Sequence, residues 1–312
     1  RRIRSLLCRW AGLDVAADPA GSLPGHILLP FGRARLSAMR ALRKTAPRPG
    51  AELQDVPVPD PGEGEVLVRV HAASICGTDL HIFDWNEWAQ GRVTRVPMTF
   101  GHEVAGTVEA VGPEVHHVQR GAFVAVETHI ACGVCSTCRT GRAHICRNLQ
   151  ILGVDTDGAF AEYVVVPAEN AWIVGEGIHP DHASVMEPFG NAVHATFGTE
   201  GGEDLLTNPV AVIGCGPIGL FAVGIARALG AWKVIAIEPN DERRSLAAKM
   251  GADLLVDPSA DDPVEAVMDA TEGNGAEVVL EMSGNATAID QGTRLLARGG
   301  RVPARPAGAG GG

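Results

Sequence analysis

Between Val210 and Gly230 the chain makes a demand that few folds satisfy. An apolar run, Val210–Ile213, gives way to Gly214-Cys215-Gly216-Pro217-Ile218-Gly219, and a helical apolar period then runs from Ile218 to Leu229 and stops at Gly230. In a chain with 39 glycines a G-x-G-x-x-G match alone says little. Its place between a strand and a helix is what gives it meaning. The first glycine makes a tight turn and the second lets the backbone approach a pyrophosphate. The third lets helix and strand pack closely, and the helix N-terminus faces the phosphates. Gly214, Gly216, Ile218 and Gly219 are therefore candidate cofactor-binding residues. Glu238 lies about 20 residues further on, where a carboxylate can accept hydrogen bonds from a ribose diol. Its charge favours NAD, since a 2′-phosphate would be repelled. Arg243, one helical turn later, could contact the adenosine side or anchor such a phosphate.

The alternation continues. Lys233–Ile237 reads as a strand and Asp241–Met250 as a helix closed by Gly251. Leu254–Val256 is a strand, Pro263–Thr271 a helix and Val278–Met282 a strand, with helical period over Ala286–Leu296. This predicts a parallel sheet with helices on both faces. Four strands and the start of a fifth can be counted, where a doubly wound sheet typically has about six. Gly299-Gly300-Arg301-Val302 reads as a turn entering that strand, after which Pro303 to Gly312 cannot supply one. The pattern is expected to stop in mid-fold, with residues 303–312 a disordered tail.

From Val66 to Val166 the period is different. Val66, Val68 and Val70 alternate with Leu67, Arg69 and His71, and Val104–Val111 and Ala122–Val126 are further short strands bounded by glycine and proline turns. Such a segment predicts a compact antiparallel barrel or sandwich.

Four of the seven cysteines, Cys132, Cys135, Cys138 and Cys146, fall within one short loop. At this spacing, in a chain of this size, they read as a closed tetrahedral thiolate shell for a structural Zn²⁺. Of the other three, Cys8 lies in an extension and Cys215 inside the glycine loop. Only Cys76 is free for a second, open metal site, which wants about three protein ligands. His102 supplies a second. With no further thiol the third should be a carboxylate, either Glu103 beside His102 or Glu187 near the junction of the halves.

Residues 1–38 carry six Arg and two Asp, leaving 20 basic against 35 acidic residues in the remainder. An acidic body repels phosphate backbones, which argues against a nucleic-acid partner. No apolar run approaches the ~20 residues of a membrane span. Arg1, Arg2, Arg4 and Arg9 with Ile3, Leu6, Leu7 and Trp10 fit a basic amphipathic presequence, which Asp14 and Asp18 oppose. A disordered or non-native extension over 1–38 is the plainer expectation.

Taken together, Cys76-Gly77-Thr78-Asp79-Leu80-His81, Asp84-Trp85-Asn86-Glu87-Trp88, Gly101-His102-Glu103, the cysteine loop and Glu187-Pro188-Phe189-Gly190-Asn191-Ala192-Val193-His194 resemble the zinc-containing medium-chain dehydrogenase/reductase family. The resemblance spans about Met39 to Val302. It implies an α/β protein: a GroES-like β-barrel catalytic domain over 39–190, with its structural zinc loop at about 131–147. An incomplete doubly wound (Rossmann) NAD-binding domain would follow over 191–302. It further implies one catalytic zinc on Cys76, His102 and Glu103 and one structural zinc on Cys132, Cys135, Cys138 and Cys146. Thr78 and His81 would relay the substrate proton, Glu187 would assist close to the metal, and Ile218, Glu238 and Arg243 would contact NAD. The implied reaction is oxidation of a small-molecule alcohol, with L-threonine expected from the Trp and Glu-Pro-Phe-Gly-Asn segments. The alternatives are a polyol or simple alcohol, or an inactive zinc- and nucleotide-binding remnant. Members are commonly homotetramers, and a cytoplasmic place is expected. Trp85 and Trp88, three apart, are expected to share one helical face.

Overall fold

The structure is a computed structural model that describes residues 37–198 and 201–302. The expectations for 1–36, Cys8 included, and for 303–312 lie outside the described residues.

The first lobe is built from antiparallel strands. Strands β1 (Ala38–Lys44), β2 (Glu52–Pro57) and β4 (Met98–Thr99) form a small sheet in the order β2-β1-β4. Strands β3 (Glu65–Ser74), β5 (Glu103–Val111), β6 (Phe123–Val126), β9 (Tyr163–Pro167) and β10 (Ala171–Ile173) form a second sheet in the order β10-β6-β5-β3-β9. Val66, Val68, Val104, Val108, Val124, Val164 and Val166 are buried together between the faces of this lobe. Their alternation along each strand fixes the register, because a one-residue slip would turn every one of them outward. Two short strands, β7 (His129–Ile130) and β8 (Gln150–Ile151), pair beside the cysteine loop.

Helices α1 (Gly77–Asp84) and α2 (Glu87–Arg92) follow β3, and the single turn α3 (Ser136–Arg139) lies in the cysteine loop. Trp85 closes α1 in the left-handed conformation (φ 54°), and Asn86 opens α2 by accepting the Ala89 N–H. The helical face expected to join Trp85 and Trp88 is therefore broken between them. Trp85 instead packs under the Lys44 ammonium, 5.1 Å from its ring centre, and Trp88 lies against His81. Lys44 is fully buried and donates to the carbonyls of Arg48, Gly50 and Phe83, which pins the end of α1 to β1.

After the turn α4 (Pro180–Ala183), helix α5 (Met186–Phe197) leads into the second lobe and runs through residue 190, the expected boundary between the two domains. Strands β11 (Pro209–Ile213), β12 (Lys233–Ile237), β13 (Leu254–Val256), β14 (Ala276–Glu281) and β15 (Leu296–Arg301) form one parallel sheet in the order β13-β12-β11-β14-β15. Helices α6 (Pro217–Ala228), α7 (Asp241–Met250), α8 (Pro263–Ala270) and α9 (Ala286–Arg294) connect them. Two apolar layers, around Val212 and Leu280 on one face and Ile213 and Val279 on the other, bury the sheet from both sides. The chain order reverses between β11 and β14, which opens a crevice beyond their carboxyl ends. Among the described residues no helix is long and apolar enough to cross a membrane.

The sequence placed helix through Leu296 and a turn at Gly299-Gly300. Instead α9 ends at Arg294, and Leu296–Arg301 is strand throughout, paired to β14 with a register shift between Ala276 and Val278. Gly299 (φ 91°) takes up that irregularity.

Candidate active site

The register of β3 against β5 assembles the first cluster. Ala73 pairs with Val104 and Ser74 with Glu103, so Cys76, just past the end of β3, returns to His102, just before the start of β5. Gly101 (φ 94°) turns the chain into this position, and a Cβ there would fall 2.6 Å from the Phe160 ring. The thiol of Cys76, a ring nitrogen of His102 and a carboxylate oxygen of Glu103 lie within 4.8 Å of one another. Of the two carboxylates left open by the sequence, Glu103 is the one inside this cluster.

Around it stand groups that sequence reasoning did not assign. Asp79, fully buried in the first turn of α1, accepts the Cys76 N–H at 2.8 Å. Its other oxygen lies 3.5 Å from His102 Nδ1, leaving Nε2 for a ligand. Both Asp79 Oδ1 and His102 Nδ1 are buried without a hydrogen bond. Ser74 donates a short hydrogen bond to Glu103 Oε2. Burial alone would push the His102 imidazole down, yet Asp79 and Cys76 raise it to about 11. The cluster is thus strongly electronegative, and a divalent cation suits the sulfur, imidazole and carboxylate donors at its centre.

Glu187, in the first turn of α5, lies outside that three-ligand cluster but close enough for Glu103, His102 and His129 to act on it. Burial pushes its carboxyl up, with Glu103 adding to the effect and His102 opposing it. Asn191 donates to Glu187 Oε1 at 2.9 Å. His129, which the sequence gave no reason to select, stands behind this carboxylate. Its Nδ1 is 2.5 Å from Glu127, whose other oxygen receives the His129 N–H, and Asn170 bonds to the backbone carbonyl of each. The Glu127 hydrogen bond raises the His129 pKa against burial.

Thr78 Oγ1 lies 3.8 Å from Cys76 Sγ. His81 Nδ1 lies 2.6 Å from the Asn86 amide nitrogen. Because Asn86 Oδ1 receives the Ala89 N–H, the amide is oriented with its NH₂ toward His81, so Nδ1 is the acceptor there. Among the described residues no hydrogen bond joins Thr78 directly to His81.

The four-cysteine loop brings its sulfurs together at 3.4 to 3.8 Å (Cys135–Cys138 3.4, Cys132–Cys146 3.5, Cys135–Cys146 3.8). A tetrahedral shell with Zn–S of about 2.3 Å has sulfurs ~3.8 Å apart. The Thr137 hydroxyl and the N–H groups of Cys138 and Arg147 hold the Cys135 thiol down at about 5. Burial and the neighbouring sulfurs push the Cys138 thiol up to about 12.

In the second lobe Gly214 (φ 85°) turns the chain out of β11 and Gly216 caps α6, with Pro217 in its first turn. Ile218 packs partly into the core beneath the helix, and Gly219 lies so close to the Gly214 carbonyl that no side chain fits. Glu238 is buried and braces this loop: Oε2 accepts the Cys215 N–H at 2.8 Å and Oε1 the Asn240 N–H at 3.0 Å. Arg243, half-exposed in the first turn of α7, approaches Glu238 to 4.0 Å. Burial, reinforced by Glu238, pushes the Cys215 thiol up to about 12, so it serves as packing within the loop. Helix α5 ties the two regions together. Its first turn carries Glu187, Phe189 meets Phe221 of α6 edge to face, and Ala192 lies in the core beneath α6.

A sulfur, imidazole and carboxylate cluster on a β-rich lobe, joined by one helix to a parallel sheet that carries a glycine loop, defines a class, the metal-binding, nucleotide-dependent oxidoreductases. Comparisons narrow this. The alcohol dehydrogenase GroES-like domain matches residues 62–176, and the zinc-binding dehydrogenase domain residues 217–304. An L-threonine 3-dehydrogenase from Pyrococcus abyssi is 51% identical over 265 residues, covering 85% of this chain and 74% of the relative. Another from Symbiobacterium thermophilum is 50% identical over 273 residues, covering 86% and 76%. Among solved structures, a putative zinc-binding dehydrogenase from Sinorhizobium meliloti bound to NADP superposes with a TM-score of 0.78 at 35% identity, covering 89% of this chain and 80% of that one. The alcohol dehydrogenase TADH from Thermus sp. ATN1 superposes with a TM-score of 0.77 at 33% identity, covering 85% of this chain and 76% of that one. The chain belongs to the zinc-containing medium-chain dehydrogenase/reductase family.

Proposed function

We propose that this chain oxidises L-threonine at its hydroxyl-bearing carbon to 2-amino-3-oxobutanoate, with transfer of hydride to NAD. The observation that carries the reading is the convergence of Cys76, His102 and Glu103 through the β3–β5 register. The roughly 50% identity to L-threonine 3-dehydrogenases supports the choice of substrate. When bound, zinc supplies Lewis acidity to the alcohol oxygen and NAD accepts the hydride.

The chain's own residues do the rest. Cys76, His102 and Glu103 hold the cation, and Asp79 fixes the His102 ring with Nε2 inward. Gly214, Gly216, Ile218 and Gly219 receive the dinucleotide, while Glu238 and Arg243 line its adenosine side. Thr78, beside Cys76, takes the hydroxyl proton and passes it by a bridging water to His81, an imidazole being the side chain suited to proton exchange with solvent. Asn86 donates to His81 Nδ1 and so holds the ring in place. Glu187, its carboxyl pushed up by burial, assists proton transfer close to the metal. Cys132, Cys135, Cys138 and Cys146 hold the structural zinc. The family reading also carries a homotetrameric assembly and a cytoplasmic place.

The test is NADH formation followed with L-threonine, sorbitol, butanediol and ethanol in parallel. Turnover on L-threonine above the other three supports the proposal. Strong polyol turnover with none on threonine would refute the substrate, and a zinc-loaded, NAD-binding but inert chain would refute the activity.

A further inference from the structure

The metal reading above assigns Glu103 but leaves open how a buried carboxylate with two equivalent oxygens presents itself to an ion. Ser74 bears on this. It is the last residue of β3 and the direct cross-strand partner of Glu103. Its hydroxyl gives Glu103 Oε2 a short hydrogen bond, and the next acceptor, the Ser184 carbonyl, is further off at 3.3 Å. A serine hydroxyl has one proton. That proton goes to Glu103, since the carboxylate is the nearer and the charged acceptor. Glu103 is buried, 5% exposed, and the Ser74 hydroxyl reaches its Oε2 from the neighbouring strand.

We propose that Ser74 is a positioning residue for the metal: it occupies Glu103 Oε2, so that Glu103 ligates through Oε1 alone. The backbone supports this as much as the side chain does. The β3–β5 register holds Ser74 and Glu103 opposite one another, two residues before Cys76 and one after His102. The same pairing that gathers the ligands therefore also sets the carboxylate's orientation. Without the hydroxyl, Oε2 is free to turn inward and chelate the ion, or to swing away and weaken the site. A threonine at 74 keeps the hydroxyl and belongs naturally in a strand. Removal of an outer hydrogen-bonding partner of a metal ligand typically costs about 10–100-fold in metal affinity.

The proposal rests on the metal reading of Cys76, His102 and Glu103, and the experiment separates the two. Purified chain is loaded with Co²⁺ at that site with Zn²⁺ kept in the cysteine loop, and its visible absorption is recorded. Release of the ion to a chelator is timed for the parent, Ser74→Ala and Ser74→Thr. The expected result is a changed ligand-field spectrum and roughly tenfold or faster release for Ser74→Ala. Ser74→Thr should match the parent, and the cysteine-loop zinc should be retained in all three as proof of folding. Parent-like spectrum and release in Ser74→Ala would overturn the proposal while leaving the metal reading intact. So would a Ser74→Thr variant that keeps its loop zinc yet behaves as Ser74→Ala does. No thiolate-to-cobalt absorption from Cys76 in the parent would overturn both.

Discussion

The glycine loop offers a perturbation whose structural and ligand effects can be separated. A Cβ at Gly219 would sit 1.9 Å from the Gly214 carbonyl oxygen, against an ordinary contact of 3.4 Å or more. Helix α6 would have to retreat by the difference, 1.5 Å. Overpacking of this kind costs about 1–3 kcal/mol, so Gly219→Ala should lower stability by that amount and loosen NADH binding as well. Gly216 is different. Its backbone (φ −68°, ψ −175°) suits alanine, and a Cβ there meets nothing within 4 Å. Gly216→Ala should therefore leave stability unchanged or raise it by about 0.4–1 kcal/mol through the unfolded chain. Any harm must come from a methyl placed where the pyrophosphate approaches, and a misfit of about 1–3 kcal/mol weakens binding by roughly 5- to 150-fold. Urea denaturation and NADH fluorescence titration on both variants give the comparison. The reasoning is refuted if Gly216→Ala binds NADH as the parent does, or if it loses as much stability as Gly219→Ala.

Three further outcomes follow from the same geometry. Arg92 and Asp155 form a bidentate ion pair at 2.6 Å between α2 and the segment after β8, and Asp155 also accepts the Ile151 N–H. Burial would raise the Asp155 carboxyl, but Arg92 and that N–H bring it below the usual range. Its stabilisation is thus present above about pH 4 and is lost as pH falls through the lower folded value. Asp155→Asn should flatten this acid limb in urea melts taken across that range. Lys44→Met leaves the carbonyls of Arg48, Gly50 and Phe83 without their donor and should cost about 1–3 kcal/mol in the same assay. His81→Gln should lower kcat by about 10²–10⁴-fold with NAD affinity unchanged, as read by stopped-flow turnover beside NADH titration.

Much of the second lobe was legible because its elements carry their own punctuation. Lys233–Ile237, Asp241–Met250 and Leu254–Val256 come out with the bounds expected, since Asn240 caps α7 and Gly251 (φ 109°) stops it. At β15 the local signal failed. Leu296-Ala297-Arg298-Gly299-Gly300-Arg301 has little strand character, and only pairing with β14 makes it one. The Trp85–Trp88 face failed for a related reason: Trp85 ends α1 in the left-handed conformation, where Lys44 reaches in from β1 to the Phe83 carbonyl and the Trp85 ring. At the site, the metal-type residues announced themselves by identity and spacing. The decision between Glu103 and Glu187 could not be read that way, as it follows from strand register. Asp79 acts on His102, Ser74 on Glu103 and His129 on Glu187, all far off in sequence, and one chain read in order gives them no signal.

The central claim is a cation held by Cys76, His102 and Glu103 beside a nucleotide crevice, and anomalous scattering at the zinc edge from crystals of the zinc-loaded, NADH-bound chain tests it most directly. The account predicts two zinc peaks per chain, one among Cys132, Cys135, Cys138 and Cys146 and one among Cys76, His102 and Glu103. A single peak at the cysteine loop in crystals of protein that still oxidises L-threonine would contradict it.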